Sequence, residues 1–543
     1  MKTEISKILS LIAEGNISKG LQEAKLLYET HEENLNVVKL LIYTYIQLGN
    51  FEKVIFLLEK HYSHDERLRD FDYYNNMGYA LVQLEEFEKA ESFLKKAAGM
   101  DNQHPGPHAN LSTIQLKIRN FTKAKEYIDV ALARVLQLDK KIYSIFTNIF
   151  LSKSEINSAL AQDSETIAIF NKLLNENFNE NIFYLLTLVD SKNLKKEIIE
   201  NAHLHLKKTD HFKTNIERFN FVTPLYFGLA NYYQSIDIKM SENYFELGNK
   251  EIFKSSRYNS HEYQTKILQI IDVFNNEFLN FIHTDDSVGS ENYFIVGSPR
   301  SGTTLLESIV TANDKIFSGG ELTSAKFLIE KYLRSNSKNL KLFIENFRNN
   351  YLNRTSFIKG DCRFIVDKMP ENFLYLGLLI KLLPNSKILR ILRDPWDTAI
   401  SLFKQRYVIN IPYSSSFFNI GVFLANFEAI NRYWDKVLNS HANIKTVRYE
   451  DLVTNQQQIK NEIYGFLDLE ISTYDEKRRE SFFSPTASIR QVSSDIHKKS
   501  LKKKEFEHKK SEFYDSLQMQ REFWKSKGII EKNDDFYGYL SNF

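Results

Sequence analysis

The chain has 543 residues, too many for one hydrophobic core, so two or more domains are expected. Its 71 basic residues nearly balance 69 acidic ones, which gives no reason to expect a nucleic-acid footprint. One cysteine, Cys362, excludes an intrachain disulfide framework, fits a reducing compartment and reads as a small core residue.

Met1 to Glu14 reads as an amphipathic helix rather than a leader, because Glu4 and Lys7 fall where a signal peptide is apolar. No apolar run reaches the ~18 residues needed to span a bilayer. The run from Leu374 to Leu383 is broken by Lys381, and the expected location is the cytoplasm. Only 19 glycines and 9 prolines suit a largely helical protein.

The N-terminal half repeats itself. Phe87-Glu-Lys-Ala90 returns as Phe121-Thr-Lys-Ala124 after 34 residues, and the same interval separates Ala97 from Ala131 and Gly78 from Ser112. Phe51-Glu-Lys-Val54 and Ile17-Ser-Lys-Gly20 open two earlier units, also 34 residues apart. Small residues at fixed positions allow two helices to pack closely within each unit. The period and pattern resemble the tetratricopeptide repeat, a helix–turn–helix unit that stacks into a superhelix and offers a concave surface to a protein or peptide. The clearest repeats span residues 17–135 and looser ones 136–285, with Tyr226–Tyr233 and Met240–Gly248 reading as one more unit. No single side chain of the array stands out from helix packing.

After the polar stretch His283–Ser290 the rhythm changes. Candidate strands Tyr293–Val296, Phe364–Val366, Lys387–Leu392 and Lys445–Arg448 alternate with helical stretches Thr304–Ala312, Asn372–Leu383, Asp397–Tyr407 and Tyr449–Leu467. This alternation predicts an α/β domain over residues 290–543 with a parallel central sheet, whose ligands sit beyond the carboxyl ends of the strands. The expected fold is therefore an all-α repeat superhelix over residues 1–285 followed by a P-loop-like α/β domain.

The first strand runs into Gly297-Ser-Pro-Arg-Ser-Gly-Thr-Thr304 and then a helix. Strand, small-residue turn and helix N-terminus make a phosphate cradle. The spacing resembles a P-loop, but Thr303 stands where a nucleotide triphosphatase has lysine, and the cation comes earlier, at Arg300. A chain without that lysine is expected to bind a nucleotide lacking β- and γ-phosphates. The second motif, Ile388 to Ser401, ends a strand at Arg393, turns at Asp394-Pro395 and starts a helix near Asp397. Alone, Arg393-Asp394 reads as a structural ion pair. Beside the cradle, Arg393 and Ser401 read as a grip on a second phosphate.

Pro299-Arg-Ser-Gly-Thr-Thr304, Arg393-Asp-Pro395 and Ser401 together resemble the two nucleotide motifs of sulfotransferases. With Gly320-Glu321 and Asp367-Lys-Met-Pro-Glu-Asn372, the pattern is similar to tyrosylprotein sulfotransferases and to bacterial sulfotransferases fused to tetratricopeptide repeats. The resemblance implies 3′-phosphoadenosine 5′-phosphosulfate (PAPS) as co-substrate and 3′-phosphoadenosine 5′-phosphate (PAP) as product. It assigns Arg300, Ser301, Gly302, Thr303 and Thr304 to the 5′-phosphate and sulfuryl group, and Arg393 and Ser401 to the 3′-phosphate. Glu321 matches the catalytic base, Lys368 a lysine near the bridging oxygen, and Tyr449 a tyrosine lining the nucleotide pocket. Thr486-Ala-Ser-Ile-Arg-Gln-Val492 matches a family segment in which Ser488 assists the transition state. Lys503 would reach the nucleotide, although the usual Gly-Arg-Trp or Ser-Lys-Trp group is replaced here by Ser500-Leu-Lys-Lys-Lys-Glu505.

Sulfuryl transfer needs positioning and charge stabilisation more than covalent work. Arg300, Lys368 and Ser488 suit the growing negative charge, and Glu321 the acceptor proton. Neither a His-x-x-x-His pair nor a cysteine cluster occurs, so no metal is expected. The acceptor is a hydroxyl on a peptide, a saccharide or a small molecule, with a peptide tyrosine favoured by the resemblance. A P-loop kinase or nucleotide hydrolase, or an inactive repeat scaffold, are the alternatives.

Overall fold

In a computed structural model the chain is described except for residues 63–64, 140–142, 144–145, 209–211, 213, 256–257, 283–287, 336–338, 408–410, 440, 484–500, 502–503, 532–535 and 538–543. It divides into two compact units, Met1–Leu225 and Tyr226–Phe543.

The first unit is built from helix pairs. Leu35–Gln47 and Phe51–Tyr62, Phe71–Gln83 and Phe87–Met100, and Pro105–Lys117 and Phe121–Val135 are three of them. The small residues of the 34-residue pattern are where neighbouring helices meet. Ala90, Ala97, Ala124 and Ala131 are wholly buried. A Cβ on Gly78 would lie 2.6 Å from the Leu94 side chain. At the equivalent place Ser112 turns its hydroxyl to the Ala124 carbonyl, 2.8 Å away, so the polar atom is satisfied by the facing helix. Between the helices of a pair the chain takes one left-handed residue: Gly15, Gly49, Glu85 and Arg119, at φ 80°, 67°, 59° and 58°. Glu85 and Arg119 hold without glycine's freedom a conformation that costs other residues about 1 kcal/mol.

In the second unit five parallel strands form one sheet in the order β2-β3-β1-β4-β5. They are β1 (Asn292–Gly297), β2 (Ile316–Gly320), β3 (Phe364–Asp367), β4 (Lys387–Leu392) and β5 (Ile444–Arg448). Every residue of β1 is buried, as expected of a central strand covered on both faces. Ile295, Leu306, Ile309, Val366, Leu389 and Ile391 form the core beneath the cradle helix Thr303–Val310. The chain lays β2 and β3 on one side of β1, then crosses to lay β4 and β5 on the other. Such a reversal opens a crevice at the carboxyl ends of the strands.

The expected repeat-plus-parallel-sheet architecture is the one observed, with differences in detail. The edge strand β2 is not among the expected strands: Ile316-Phe-Ser-Gly-Gly320 carries two apolar residues before glycines and pairs with β3 at the edge of the sheet. The stretch expected as helix from Asn372 is a 3₁₀ segment, Pro370–Tyr375, running into a helix, Leu376–Leu382. The stretch Tyr449–Leu467 is two helices, Tyr449–Thr454 and Gln456–Phe466, that share Asn455 as a boundary. The helices Ile238–Ser255 and Ser260–Val273 belong to the second unit, where the Asn249 amide donates to the Phe403 carbonyl at 2.7 Å. Among the described residues no helix is long and apolar enough to cross a membrane.

Candidate active site

The crevice is lined from all five strand ends. After β1 the chain turns through Arg300, at φ 67°, and Gly302, at φ 103°, before the helix Thr303–Val310 begins. Glycine is required at 302 on two counts. The backbone is left-handed, and a Cβ would stand 2.4 Å from Tyr449 Cδ2. At Gly297 a Cβ would meet the Ile391 carbonyl oxygen at 2.8 Å, so the loop is drawn tightly against β4. Thr303 and Thr304 occupy the first helical turn and are buried. Among the described residues the buried Ser301 hydroxyl has no hydrogen-bond partner, the condition expected of a group that awaits an anion.

Arg393 follows β4 directly and is pinned by the other motifs. Its Nη1 donates to the Arg300 carbonyl at 3.0 Å, and its guanidinium lies 4.4 Å over the Tyr449 ring. Ser401, in the helix Pro395–Phe403, accepts from Arg300 Nε at 3.1 Å. The two motifs, 93 residues apart between Arg300 and Arg393, are thus bonded to each other in one crevice. Burial pulls the Arg300 guanidinium below its ordinary pKa, and the nearby Arg393 charge adds to the effect, against opposing pulls from Tyr407 and Tyr449. Two guanidiniums held close and buried favour any anion that enters between them.

On the opposite flank of β1, Lys368 follows β3 and Glu321 follows β2. The Lys368 Nζ donates to Glu321 Oε1 at 2.7 Å, and the Lys368 backbone N–H donates to the Gly320 carbonyl at 2.8 Å. The Lys368 side chain is wholly buried, while that of Glu321 is 44% exposed. Glu321 lies just before the helix Ser324–Arg334, whose cap is Thr323.

Three residues of this site carried no role in the sequence reading. Glu307, in the cradle helix, is wholly buried 3.9 Å from Lys368 Nζ and accepts from the Ser318 hydroxyl. Its position five residues into the helix was readable, but the facing lysine was not. Tyr407 lies near enough to Arg300 and Glu321 to feel both charges, with burial as the main cause of its raised pKa. Glu450 accepts from the Asp394 backbone N–H at 2.8 Å and so fixes the turn after Arg393. Asp394 in turn caps the next helix by accepting from the Asp397 N–H at 2.8 Å. Arg300, Ser301, Gly302, Thr303, Thr304, Glu321, Lys368, Arg393, Ser401 and Tyr449 are therefore brought to one edge of the sheet. Ser488 and Lys503 lie outside the described residues.

Residues 293–473 match the model of the sulfotransferase family, and residues 71–104 match a tetratricopeptide-repeat model. The second match covers the helix pair Phe71–Gln83 and Phe87–Met100. An uncharacterized protein of Aquifex aeolicus (strain VF5) is 27% identical over 277 residues, covering 47% of this chain. The matched part amounts to 36% of that protein's own length. Among solved structures, the sulfotransferase domain from the curacin biosynthetic pathway is 18% identical, with a TM-score of 0.25, over 35% of this chain and 77% of that one. A sulfotransferase from Alicyclobacillus acidocaldarius is 15% identical, with a TM-score of 0.26, over 43% of this chain and 98% of that one. The chain thus carries a region that matches the tetratricopeptide repeat followed by one that matches the sulfotransferase family.

Proposed function

We propose that this domain transfers a sulfuryl group from PAPS to an acceptor hydroxyl. The observation that carries the reading is the bonded pair of cation sites. The Arg300 turn and the Arg393–Ser401 pair share one crevice, as a nucleotide with phosphate on both the 3′ and 5′ sides of its ribose requires. Ser301, Thr303, Thr304 and the backbone N–H groups after Gly302 would hold the 5′-phosphate, and Arg393 and Ser401 the 3′-phosphate, with Tyr449 lining the pocket. When bound, the donor supplies the sulfuryl group. Glu321 takes the acceptor's proton, and Arg300 and Lys368 meet the negative charge left on the phosphate side.

By family resemblance, Ser488 joins Arg300 and Lys368, and Lys503 joins the nucleotide contacts. The repeat region recruits the acceptor, with a peptide tyrosine as the favoured class. The lone cysteine fits action in the cytoplasm.

Ligand-induced stabilisation tests the donor. PAP without Mg²⁺ raises the melting temperature, whereas ATP with Mg²⁺ leaves it in place. The reverse pattern removes the sulfotransferase reading and favours a kinase or hydrolase. Transfer of labelled sulfate into a cell lysate then identifies the acceptor. PAP binding without any labelled product favours an inactive scaffold.

A further inference from the structure

Lys368 is the most deeply buried cation of the crevice, with 0% of its side chain exposed, and it faces two carboxylates of opposite character. Glu321 touches it at 2.7 Å and is 44% exposed. Glu307 stands at 3.9 Å and is 0% exposed. Glu307 cannot leave. It is anchored in the helix Thr303–Val310, and Ser318 of β2 donates to its Oε1 from the neighbouring side.

We infer that Glu307 is a positioning residue, the fixed counter-charge on which Lys368 turns between Glu321 and the donor. The inference rests on the donor reading given above. With no donor bound, the Lys368 ammonium donates to Glu321 Oε1 and so occupies one oxygen of the proposed base. That oxygen can meet an acceptor hydroxyl only once Lys368 has moved off it. An ammonium sealed from water cannot give up its only partner cheaply, since a buried charge without a counter-charge is strongly unfavourable. Glu307 removes that obstacle. Lys368 swings from Glu321 toward the incoming anion while its charge stays matched, so the base is freed in the same movement that brings the cation to the donor. The atoms balance as in the transfer itself. The new S–O bond forms to the acceptor oxygen and the acceptor proton passes to Glu321. The broken S–O bond leaves its electron pair on the phosphate oxygen, which Lys368 faces. Glu307 gains and loses nothing.

Two measurements test the role on the full chain. The first uses the ligand-free protein: denaturant unfolding of wild type, Glu307→Gln, Lys368→Met and the double variant. Lys368→Met should be the least stable. Adding Glu307→Gln should restore at least tenfold in the unfolding equilibrium, because the stranded charge is gone. Additive effects overturn the inference. The second compares Glu307→Gln with wild type in PAP affinity and in turnover. The glutamine keeps an acceptor for Ser318, so the Kd for PAP should stay within about threefold while kcat falls about thirtyfold or more with KM little changed. Glu307→Asp should recover part of kcat, which a merely structural loss would not do. An unchanged kcat, or a loss seen only in PAP affinity, overturns the inference. Failure of the wild type to bind PAP sinks the donor reading and the handover with it. It does not alter the coupling measured in the ligand-free protein, so the two failures can be told apart.

Discussion

Lys153 in the repeats and Lys368 in the α/β unit are both sealed from solvent, and each ammonium faces two carboxylates. Lys153 Nζ lies 2.5 Å from Asp129 and 2.8 Å from Glu165, carboxylates that are 41% and 40% exposed. Lys368 shares its charge between an equally exposed Glu321 and a wholly buried Glu307. The repeat lysine thus bridges surface groups, joining the helices Phe121–Val135, Thr147–Ala159 and Asp163–Glu176. Either acid can turn to water if the bridge is lost. The lysine of the crevice cannot be removed without stranding a charge. Packing in the repeats is distributed and forgiving, whereas the crevice concentrates its requirements on single atoms.

Two lysine substitutions should show the largest difference between the regions. Lys368→Met should destabilise the second unit by about 3–5 kcal/mol, the range for breaking a buried ion pair from one side. Lys153→Met should cost about 1 kcal/mol or less, the range for exposed pairs. Denaturant unfolding of the two variants measures both, and equal losses would erase the distinction.

Adding one methyl group sharpens it further. Gly302→Ala meets Tyr449 Cδ2 at 2.4 Å on a backbone at φ 103°, so strain and overlap combine to about 2–4 kcal/mol, and PAP binding should be lost with them. Gly78→Ala meets the Leu94 side chain at 2.6 Å on an ordinary helical backbone. It should cost about 1–3 kcal/mol with PAP affinity untouched. Calorimetric titration of PAP into both variants checks the contrast. A loss of affinity in Gly78→Ala would overturn it.

Within the crevice, single side chains should separate binding from chemistry. Arg393→Ala should weaken PAP binding by about ten- to a hundredfold, the weight of one charge-assisted contact. Glu321→Ala should leave PAP affinity within a few-fold and lower kcat. Equal turnover of Glu321→Ala and wild type would retire that residue as the base.

Legibility followed the same division. The repeats were readable because a 34-residue period prints one packing rule many times, so Ala90, Ala97, Ala124 and Ala131 were recognisable before any contact was known. The crevice was readable where chemistry and local geometry coincide, in the turn from Gly297 to Thr304 and in Arg393 with Ser401. What escaped was non-local. The strand β2 owes its conformation to pairing with β3 rather than to its own residues, and its Ser318 matters only because it reaches Glu307. The sequence places Glu307 and Lys368 61 residues apart and gives no sign that they meet. Nor does local pattern indicate that Arg300 Nε bonds to Ser401, since that contact exists only once β1 and β4 are neighbours. Glu85 and Arg119 hid the left-handed turns of their repeats because neither is the glycine that such a position favours.

The smallest effect lies in the repeats, at a half-buried carboxyl. Glu155, in the helix Thr147–Ala159, has its carboxyl pushed up to about 7 by burial, against a lesser opposing pull from Lys117. Its ordinary value is 4.5, so between the two values the folded repeats hold a proton that the unfolded chain has released. Stability is therefore highest below that window and falls as pH rises through it. Glu155→Gln removes the titrating group while keeping its size, so the melting temperature of the first unit should become flatter between about pH 5 and 7. Parallel melting curves for variant and wild type across that range would mean the carboxyl is solvated. Glu155 would then bear no comparison with the wholly buried Glu307 of the crevice.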